Sequence, residues 1–191
     1  MQIFRSSPGA PASVPAGYGD AIAAVPGNRA RIVDTRKTIP GLRVAQKYAV
    51  QIGGGLNHRM GLYDAILIKE NHIMAAGGVA KVLAQAAAFA HALQFIEIEV
   101  ETLAQLQEAL DAGAKMVLLD NMPATQLRQA VALNAGRAIL EVSGGVNLDT
   151  VATLAATGVD RISIGAITKD VKAVDFSLRF DQSFANQKSG D

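Results

Sequence analysis

The sequence predicts an α/β protein whose parallel sheet is barrel-like, open or incomplete, with about six strand–helix units. Short, continuously apolar runs alternate with helical patterns, as expected when both faces of a parallel sheet are covered. Polar residues follow each of these runs, and in a β/α barrel the carboxyl ends of the strands form the face where active sites are built. A doubly wound open sheet would gather such residues only near its switch point, so their recurrence favours the barrel.

The individual elements follow from apolar periodicity and from helix-capping residues. Residues 1–29 form an irregular segment, with coil over 1–19 and one weak helical turn within 20–28. The barrel spans 30–180, with strands expected at 30–33, 65–68, 95–101, 116–119, 138–142 and 161–164. Helices are expected at 41–52, 78–93, 103–112, from Pro123 onward, from Asn147 to about 156, and at 172–180, before a frayed tail over 181–191. Thr102 and Gln105 form a capping-box start for the helix at 103–112.

Composition narrows the class of protein. The chain has 191 residues, half of them hydrophobic, and a net charge of +1, so it exerts no global field toward nucleic acid or membrane. It has no cysteine, which excludes disulfides and thiolate metal sites and fits a reducing compartment. The start of the sequence lacks a signal-peptide pattern. The alanine-rich run at 74–93 is interrupted by Lys81, Gln85 and His91, so we expect a buried helix and not a membrane span. We therefore expect a cytoplasmic protein without nucleic-acid or membrane partners.

Basic residues are concentrated between residues 34 and 72, around three consecutive glycines at 53–55. Guanidinium and ammonium groups match carboxylates and phosphates, and glycine lets the backbone approach a ligand. The pattern predicts a clamp for a dianionic small molecule, formed by Arg36, Lys37, His58, Arg59 and Lys69. Two alternatives stay open: a solvated basic loop, or scaffold pairing of some of these residues with Asp64, Glu70 or Glu99. For Lys47, within a predicted helix, a ligand role and a surface position are both open.

Carboxylates and glycine turns follow the later strands. Glu97, Glu99 and Glu101 alternate along one strand and should face the barrel interior or its mouth, unless the strand is an edge with one solvated side. Asp120 directly follows a buried strand, which is typical of Mg²⁺ or ribose contact. Two strand-to-helix turns favour a phosphate site, with ligand-free tight turns as the alternative; they are Ser143-Gly144-Gly145 and Ile164-Gly165-Ala166. His91 is expected to be structural, and His72 is ambiguous.

Several runs together resemble one enzyme family over about residues 30–180. They are DTRKT with PGLR (34–43), GGG with NHR and GL-D (53–64), KENH (69–72), EVE (99–101), LDNM (119–122) and EVSGG (141–145). This combination is similar to quinolinate phosphoribosyltransferase, the decarboxylating nicotinate-nucleotide pyrophosphorylase of NAD synthesis. A molybdenum-transport homologue shares the TRK and PG elements, but the NHR and KENH runs favour the quinolinate enzyme.

The resemblance implies a role for each predicted site residue. Arg36, His58, Arg59 and Lys69 would hold the two carboxylates of quinolinate, and Lys37 would reach phosphoribosyl pyrophosphate. Glu99 and Asp120 would serve the ribose hydroxyls and the Mg²⁺-pyrophosphate, which makes Mg²⁺ the expected cofactor. The 5′-phosphate would be surrounded by Ser143, Gly144, Gly145, Ile164, Gly165 and Ala166, with Thr35 also in the substrate site. We expect catalysis to depend on Lys37, Lys69, Glu99 and Asp120.

The resemblance also implies a partner domain. The family carries an additional N-terminal α/β domain, from which a dimer partner supplies an arginine to the quinolinate site, and residues 1–29 are too few to encode it. We therefore expect a barrel unit without that domain, forming a homodimer or higher homo-oligomer once the domain is restored. One alternative function is an impaired or inactive barrel remnant that binds phosphoribosyl ligands or a partner chain. A molybdenum-transport-type homologue is another.

Overall fold

A computed structural model of the chain describes residues 19–21, 23 and 25–171. All six predicted strands are present in this part of the chain, each within two residues of its expected bounds. They are β1 (Arg31–Val33), β2 (Ile66–Ile68), β3 (Ile96–Val100), β4 (Met116–Asp120), β5 (Ile139–Ser143) and β6 (Arg161–Ser163). Residues 19–21 and 23 are helical and a turn follows at Pro26-Gly27, as the sequence predicted. The coil expected over 1–18, the helix at 172–180 and the tail at 181–191 lie outside the described residues.

The strand order confirms the open, barrel-like sheet. The six strands form one parallel sheet in the order β1-β6-β5-β4-β3-β2. From β2 to β6 each strand lies beside its neighbour in sequence, and β1 returns beside β6, so the order runs around a ring without the reversal that defines a doubly wound sheet. The ring is open between β1 and β2. There, Leu56 pairs with Val33 of β1 as a single bridge.

The helices match the prediction less closely than the strands do. The observed helices are Arg43–Ile52, Glu70–Ala76, Val79–Ala87, Leu103–Asp111, Ala124–Asn134, Leu148–Ala155 and Ala166–Lys169, with a 3₁₀ turn at Ala90–Ala92. The single helix expected at 78–93 is therefore wrong beyond Ala87, and the helices Glu70–Ala76 and Ala166–Lys169 were not predicted. Both are short. Helix Glu70–Ala76 ends at Gly77, whose φ of 78° lies in the left-handed region.

An N-cap side chain accepts hydrogen bonds at two helix starts among the described residues, and the capping box expected at Thr102 is incomplete because Gln105 Oε1 accepts from the Glu101 N–H. The Thr102 side chain accepts a hydrogen bond from the backbone N–H of Gln105, and Asn147 accepts from two N–H groups of its helix. Pro123 precedes the helix Ala124–Asn134 as its N-cap and does not occupy the first helical position.

Alternation along the strands separates an apolar outer face from a partly polar interior. Ile98, Val100, Leu140 and Val142 belong to the core between the sheet and its helices. Their neighbours in the strands point the other way, and fully buried Glu97 and Glu141 therefore face the interior of the open barrel. Within the described ranges, no helix combines the length and the apolar character needed to cross a bilayer.

Candidate active site

The predicted polar residues lie at the carboxyl ends of the strands, on one side of the sheet. Direct contacts show that neighbouring strand ends are brought together: Lys69 Nζ, after β2, lies 2.6 Å from Glu99 Oε2 in β3. The turn after β6 lies against the loop after β1, because a side chain at Gly165 would contact both Lys37 and Thr35. The strand ends thus form a mouth lined by most of the predicted residues.

A buried ion pair ties together the two segments that carry the basic cluster. Lys47 and Asp34 are both 0% exposed and pair with each other. The same Asp34 oxygen accepts from the His58 N–H at 2.8 Å, and Lys47 Nζ donates to the His58 carbonyl at 3.0 Å. The surface alternative for Lys47 is therefore wrong. This lysine lies inside the protein, where its charge is compensated.

The His58 side chain lies between two buried carboxyl groups of the barrel interior. Its Nε2 is 2.7 Å from Glu97 Oε2 and 3.7 Å from Glu141 Oε1, and Ser163 Oγ donates to Glu141. Burial raises the pKa of Glu97 to about 8, and burial together with the charge of Glu97 raises the pKa of Glu141 to about 8. Burial lowers the pKa of His58.

These three side chains form the interior cluster, and their chemistry allows two kinds of occupant. One oxygen of Glu97 and one of Glu141 are buried without a hydrogen-bond partner among the described residues. The donor atoms of His58, Glu97 and Glu141 lie within 4.8 Å of one another, so they could hold a cation. The second kind of occupant is protons on the carboxyl groups themselves. The pKa values of Glu97 and Glu141 are raised to about 8, so the protonated carboxyl groups predominate at neutral pH.

Two arginines above this cluster retain donors that nothing in the described residues accepts well. Arg59 is 9% exposed, and its Nη1 makes only a long 3.4 Å contact to the Ala65 carbonyl. Arg36 Nε is buried without a partner among the residues described here. Burial lowers the pKa of Arg59, and the charge of Arg36 lowers it further. A carboxylate-bearing ligand between them would relieve this repulsion.

Other charged residues of the basic stretch shape the loops. Arg43 donates to Thr38 Oγ1, to the Met60 carbonyl and to the Arg36 carbonyl at 3.1–3.2 Å. Asp64 accepts from the N–H groups of Met60 and Gly61. Asp64 thus pairs with backbone groups and with none of the five clamp residues among the described residues, so the scaffold alternative is wrong for Asp64.

Lys69 and His72 both have partners within the protein. Lys69 pairs with Glu99, as the scaffold alternative allowed, and a ligand role for Lys69 stays a prediction. His72, which the sequence left ambiguous, accepts from the N–H of Lys69 and holds the start of its own helix. His91 lies exposed in the 3₁₀ turn.

The two glycine turns differ in backbone conformation and in the burial of their residues. Gly144 (φ 103°) and Gly145 (φ 59°) adopt left-handed conformations, and a side chain at Gly144 would overlap Asn121 Oδ1. Both glycines directly follow β5, at the carboxyl end of the sheet. Ile164 is different, because its side chain lies in the core and its N–H donates to the Val33 carbonyl at 2.9 Å. Gly165 and half-buried Ala166 begin the short helix Ala166–Lys169.

Sequence reasoning gave no individual role to several residues that organise the site. The sequence shows Asp34 and Glu141 only as parts of motifs, and it indicates no role for Ser163 or Asn121. Asn121 follows β4 with a φ of 54°, donates to Asp120 Oδ2 at 2.7 Å and packs against Gly144. A charged residue inside an otherwise apolar strand, as at Glu141, was the available signal.

Comparisons with known proteins identify one family. Residues 14–179 match the family "Quinolinate phosphoribosyl transferase, C-terminal domain". The chain is 42% identical over 168 residues to a probable nicotinate-nucleotide pyrophosphorylase [carboxylating] of Bacillus subtilis, with 88% of this chain and 57% of that protein covered. It is 47% identical over 158 residues to the nicotinate-nucleotide pyrophosphorylase [carboxylating] of Mycobacterium leprae, with 81% and 55% covered.

Solved structures show the same similarity. The crystal structure of NadC from Streptococcus pyogenes superposes with a TM-score of 0.82 at 44% identity, covering 88% of this chain and 58% of that one. The nicotinate-nucleotide pyrophosphorylase from Francisella tularensis gives 0.81 at 46% identity, covering 86% and 57%. The chain thus spans about half the length of the curated relatives it matches. On the family match and these identities, the chain belongs to the quinolinate phosphoribosyltransferase family, whose C-terminal domain it contains.

Proposed function

We propose that this chain carries the phosphoribosyl-transfer site of an enzyme that converts quinolinate and phosphoribosyl pyrophosphate to nicotinate mononucleotide, CO₂ and pyrophosphate. The observation that carries the proposal is a pair of arginines at the barrel mouth: Arg59 is buried with one long hydrogen bond among the described residues, and the Nε of half-buried Arg36 has no partner there. The names of relatives 42–47% identical to the chain supply the reaction class. Two cations held close together suit a ligand with adjacent carboxylates, because each guanidinium can bind a carboxylate in two parallel bonds.

The barrel mouth divides into two subsites in this proposal. The first holds quinolinate, with Arg36 and Arg59 on its carboxylates, Lys69 beside them and the His58 edge beneath. The second holds phosphoribosyl pyrophosphate, with Glu99 and Asp120 toward the ribose and Gly144 and Gly145 toward the 5′-phosphate. Lys37 and Thr35 lie against Gly165, so the loop after β1 reaches both subsites.

The protein's contribution to the chemistry is alignment and charge placement. The ring nitrogen of quinolinate attacks the anomeric carbon while the bond to pyrophosphate breaks and its electron pair stays with the leaving oxygen. The carboxylate beside the now cationic nitrogen leaves as CO₂, and the electron pair left on that ring carbon takes up a proton. Fixed cations that hold both substrates in line supply proximity and electrostatic stabilisation without proton transfer by a side chain.

The same proposal includes a divalent cation and an assembly. Glu99 and Asp120 are half-buried carboxylates at the mouth, and such oxygens suit Mg²⁺, which would neutralise the charge on departing pyrophosphate. A homodimer or higher homo-oligomer and a cytoplasmic location are supported by the family resemblance alone.

Titration calorimetry on the folded chain tests the binding half of the proposal. We expect Mg²⁺-dependent heat with phosphoribosyl pyrophosphate, and binding of quinolinate that exceeds that of nicotinate, which lacks one carboxylate. A cooperatively melting sample that binds neither substrate would refute the proposal. Binding of both without turnover would favour the non-catalytic barrel alternative.

A further inference from the structure

We propose that Lys47, through its ion pair with Asp34, is a positioning residue that fixes Arg59 relative to Arg36. This inference rests on the proposed function, since it concerns the dicarboxylate subsite. Neither residue of the pair can touch a ligand, because both side chains are fully buried.

The pair connects two segments that are otherwise separate in the chain. Asp34 directly follows β1 and stands two residues before Arg36. Asp34 accepts from the N–H of His58, and Lys47 donates to the carbonyl of His58. Both backbone polar groups of the residue before Arg59 therefore end on one ion pair, which also begins the loop that carries Arg36.

The position of this contact makes it more than ordinary loop packing. Segment 56–59 lies on the open side of the barrel, where β1 and β2 do not pair and a single bridge joins Val33 to Leu56. Beyond that bridge, the Asp34 and Lys47 hydrogen bonds hold the main chain of His58. Arg36 and Arg59 belong to the two segments that these bonds join, so the separation of the two arginines depends on how firmly the segments are held.

Fold stability alone does not explain why charged residues occupy these positions. Replacing a buried ion pair by apolar side chains of similar size is often neutral or stabilising, whereas removing one partner leaves a costly buried charge. An apolar pair would fill the same space but would offer His58 neither a donor nor an acceptor. The charged pair supplies both.

The double variant Asp34→Asn/Lys47→Met tests this role without leaving a lone buried charge. It keeps side-chain volume and an acceptor for the His58 N–H, and it removes the donor to the His58 carbonyl. We expect cooperative melting and a loss of quinolinate affinity of at least ~10-fold, the size of one lost hydrogen bond in a charged site, with the affinity for phosphoribosyl pyrophosphate kept within about twofold. Asp111→Asn/Arg137→Met, which makes matched changes in an exposed pair, should change neither affinity.

The outcomes separate this inference from the proposed function. A wild-type chain that binds neither ligand would refute the proposed function, and the positioning role with it. If wild type binds both ligands, unchanged quinolinate affinity in the double variant, or an equal loss for both ligands, refutes the positioning role alone. If the double variant does not melt cooperatively, Lys47→Met is the second variant, in which Asp34 can take up a proton. If neither variant folds, the pair serves the fold, and the positioning role is refuted.

Discussion

Replacement of Arg59 by lysine is the most informative single change at the dicarboxylate subsite. The guanidinium of Arg59 is nearly buried and, among the described residues, makes one long hydrogen bond, to the Ala65 carbonyl; the charge of Arg36 adds to burial in lowering its pKa. Arg59→Lys keeps the positive charge but loses the planar fork that can bind a carboxylate through two parallel bonds. If the charge alone mattered, the substitution would be harmless.

The expected magnitude follows from the bond that is lost. A hydrogen bond to a charged group contributes about 1.5–3 kcal/mol, so quinolinate affinity should fall by at least ~10-fold. The affinity for phosphoribosyl pyrophosphate should stay within about twofold, since that ligand is assigned to the glycine turns and the carboxylates. Both affinities are measurable by titration calorimetry on the same sample.

An exposed arginine provides the matched control for Arg59→Lys. Arg29→Lys makes the same change in a largely exposed ion pair with Asp160 and should leave both affinities unchanged. Equal loss of both affinities in Arg59→Lys would mean that the division of the mouth into two subsites is wrong. Undiminished quinolinate binding would remove Arg59 from the subsite.

Three further changes test other parts of the site. Gly144→Ala should weaken phosphoribosyl pyrophosphate binding and lower the melting temperature, because it places a side chain on a left-handed backbone against Asn121. Adding Asn121→Ala should recover only part of the loss. A Gly144→Ala variant with unchanged binding and melting temperature would contradict the role of this turn. Between pH 6.5 and 8 the free energy of unfolding should fall as pH rises. The pKa values of Glu97 and Glu141 in the folded state are about 8 against an ordinary 4.5, so the folded state binds more protons than the unfolded state. Glu141→Gln should flatten this slope in urea titrations, and an unchanged slope would contradict the raised pKa of Glu141. That window lies at or above the ordinary pKa of His58, 6.5, which burial lowers, so His58 contributes little to the slope. Chelation of Mg²⁺ should weaken phosphoribosyl pyrophosphate binding and leave quinolinate binding unchanged; an equal effect on both ligands would contradict the assignment of the cation to the pyrophosphate.

The sequence was sufficient for the strands because each is a short apolar run ended by a polar residue. It also favoured the barrel over a doubly wound sheet, because polar residues follow every strand and not only two of them. It failed at the helices Glu70–Ala76 and Ala166–Lys169, which are one or two turns long and too short to show a 3.6-residue apolar period. The predicted mouth is assembled as expected, although the ligand roles of its residues stay predictions.

Alternation along β3 predicted the inward position of Glu97, but the partners of the buried charges could not be derived in the same way. A lysine on a helix is normally exposed, and the burial of Lys47 depends on Asp34, which lies thirteen residues earlier and on a different element. Glu97 and Glu141 lie on strands separated by β4, so their approach to one another and to His58 depends on sheet curvature and on the segment that enters the open side. Such contacts are tertiary, and no local pattern in the chain encodes them.

Product formation tests the central claim most directly. The folded chain, incubated with Mg²⁺, phosphoribosyl pyrophosphate and quinolinate labelled in the carboxylate beside the ring nitrogen, should release labelled CO₂ and pyrophosphate in equal amounts as nicotinate mononucleotide forms. Nicotinate in place of quinolinate should give none of the three products. Binding of both substrates without any of these products, on a sample that melts cooperatively, would contradict the account and favour a barrel that binds its ligands without turning them over.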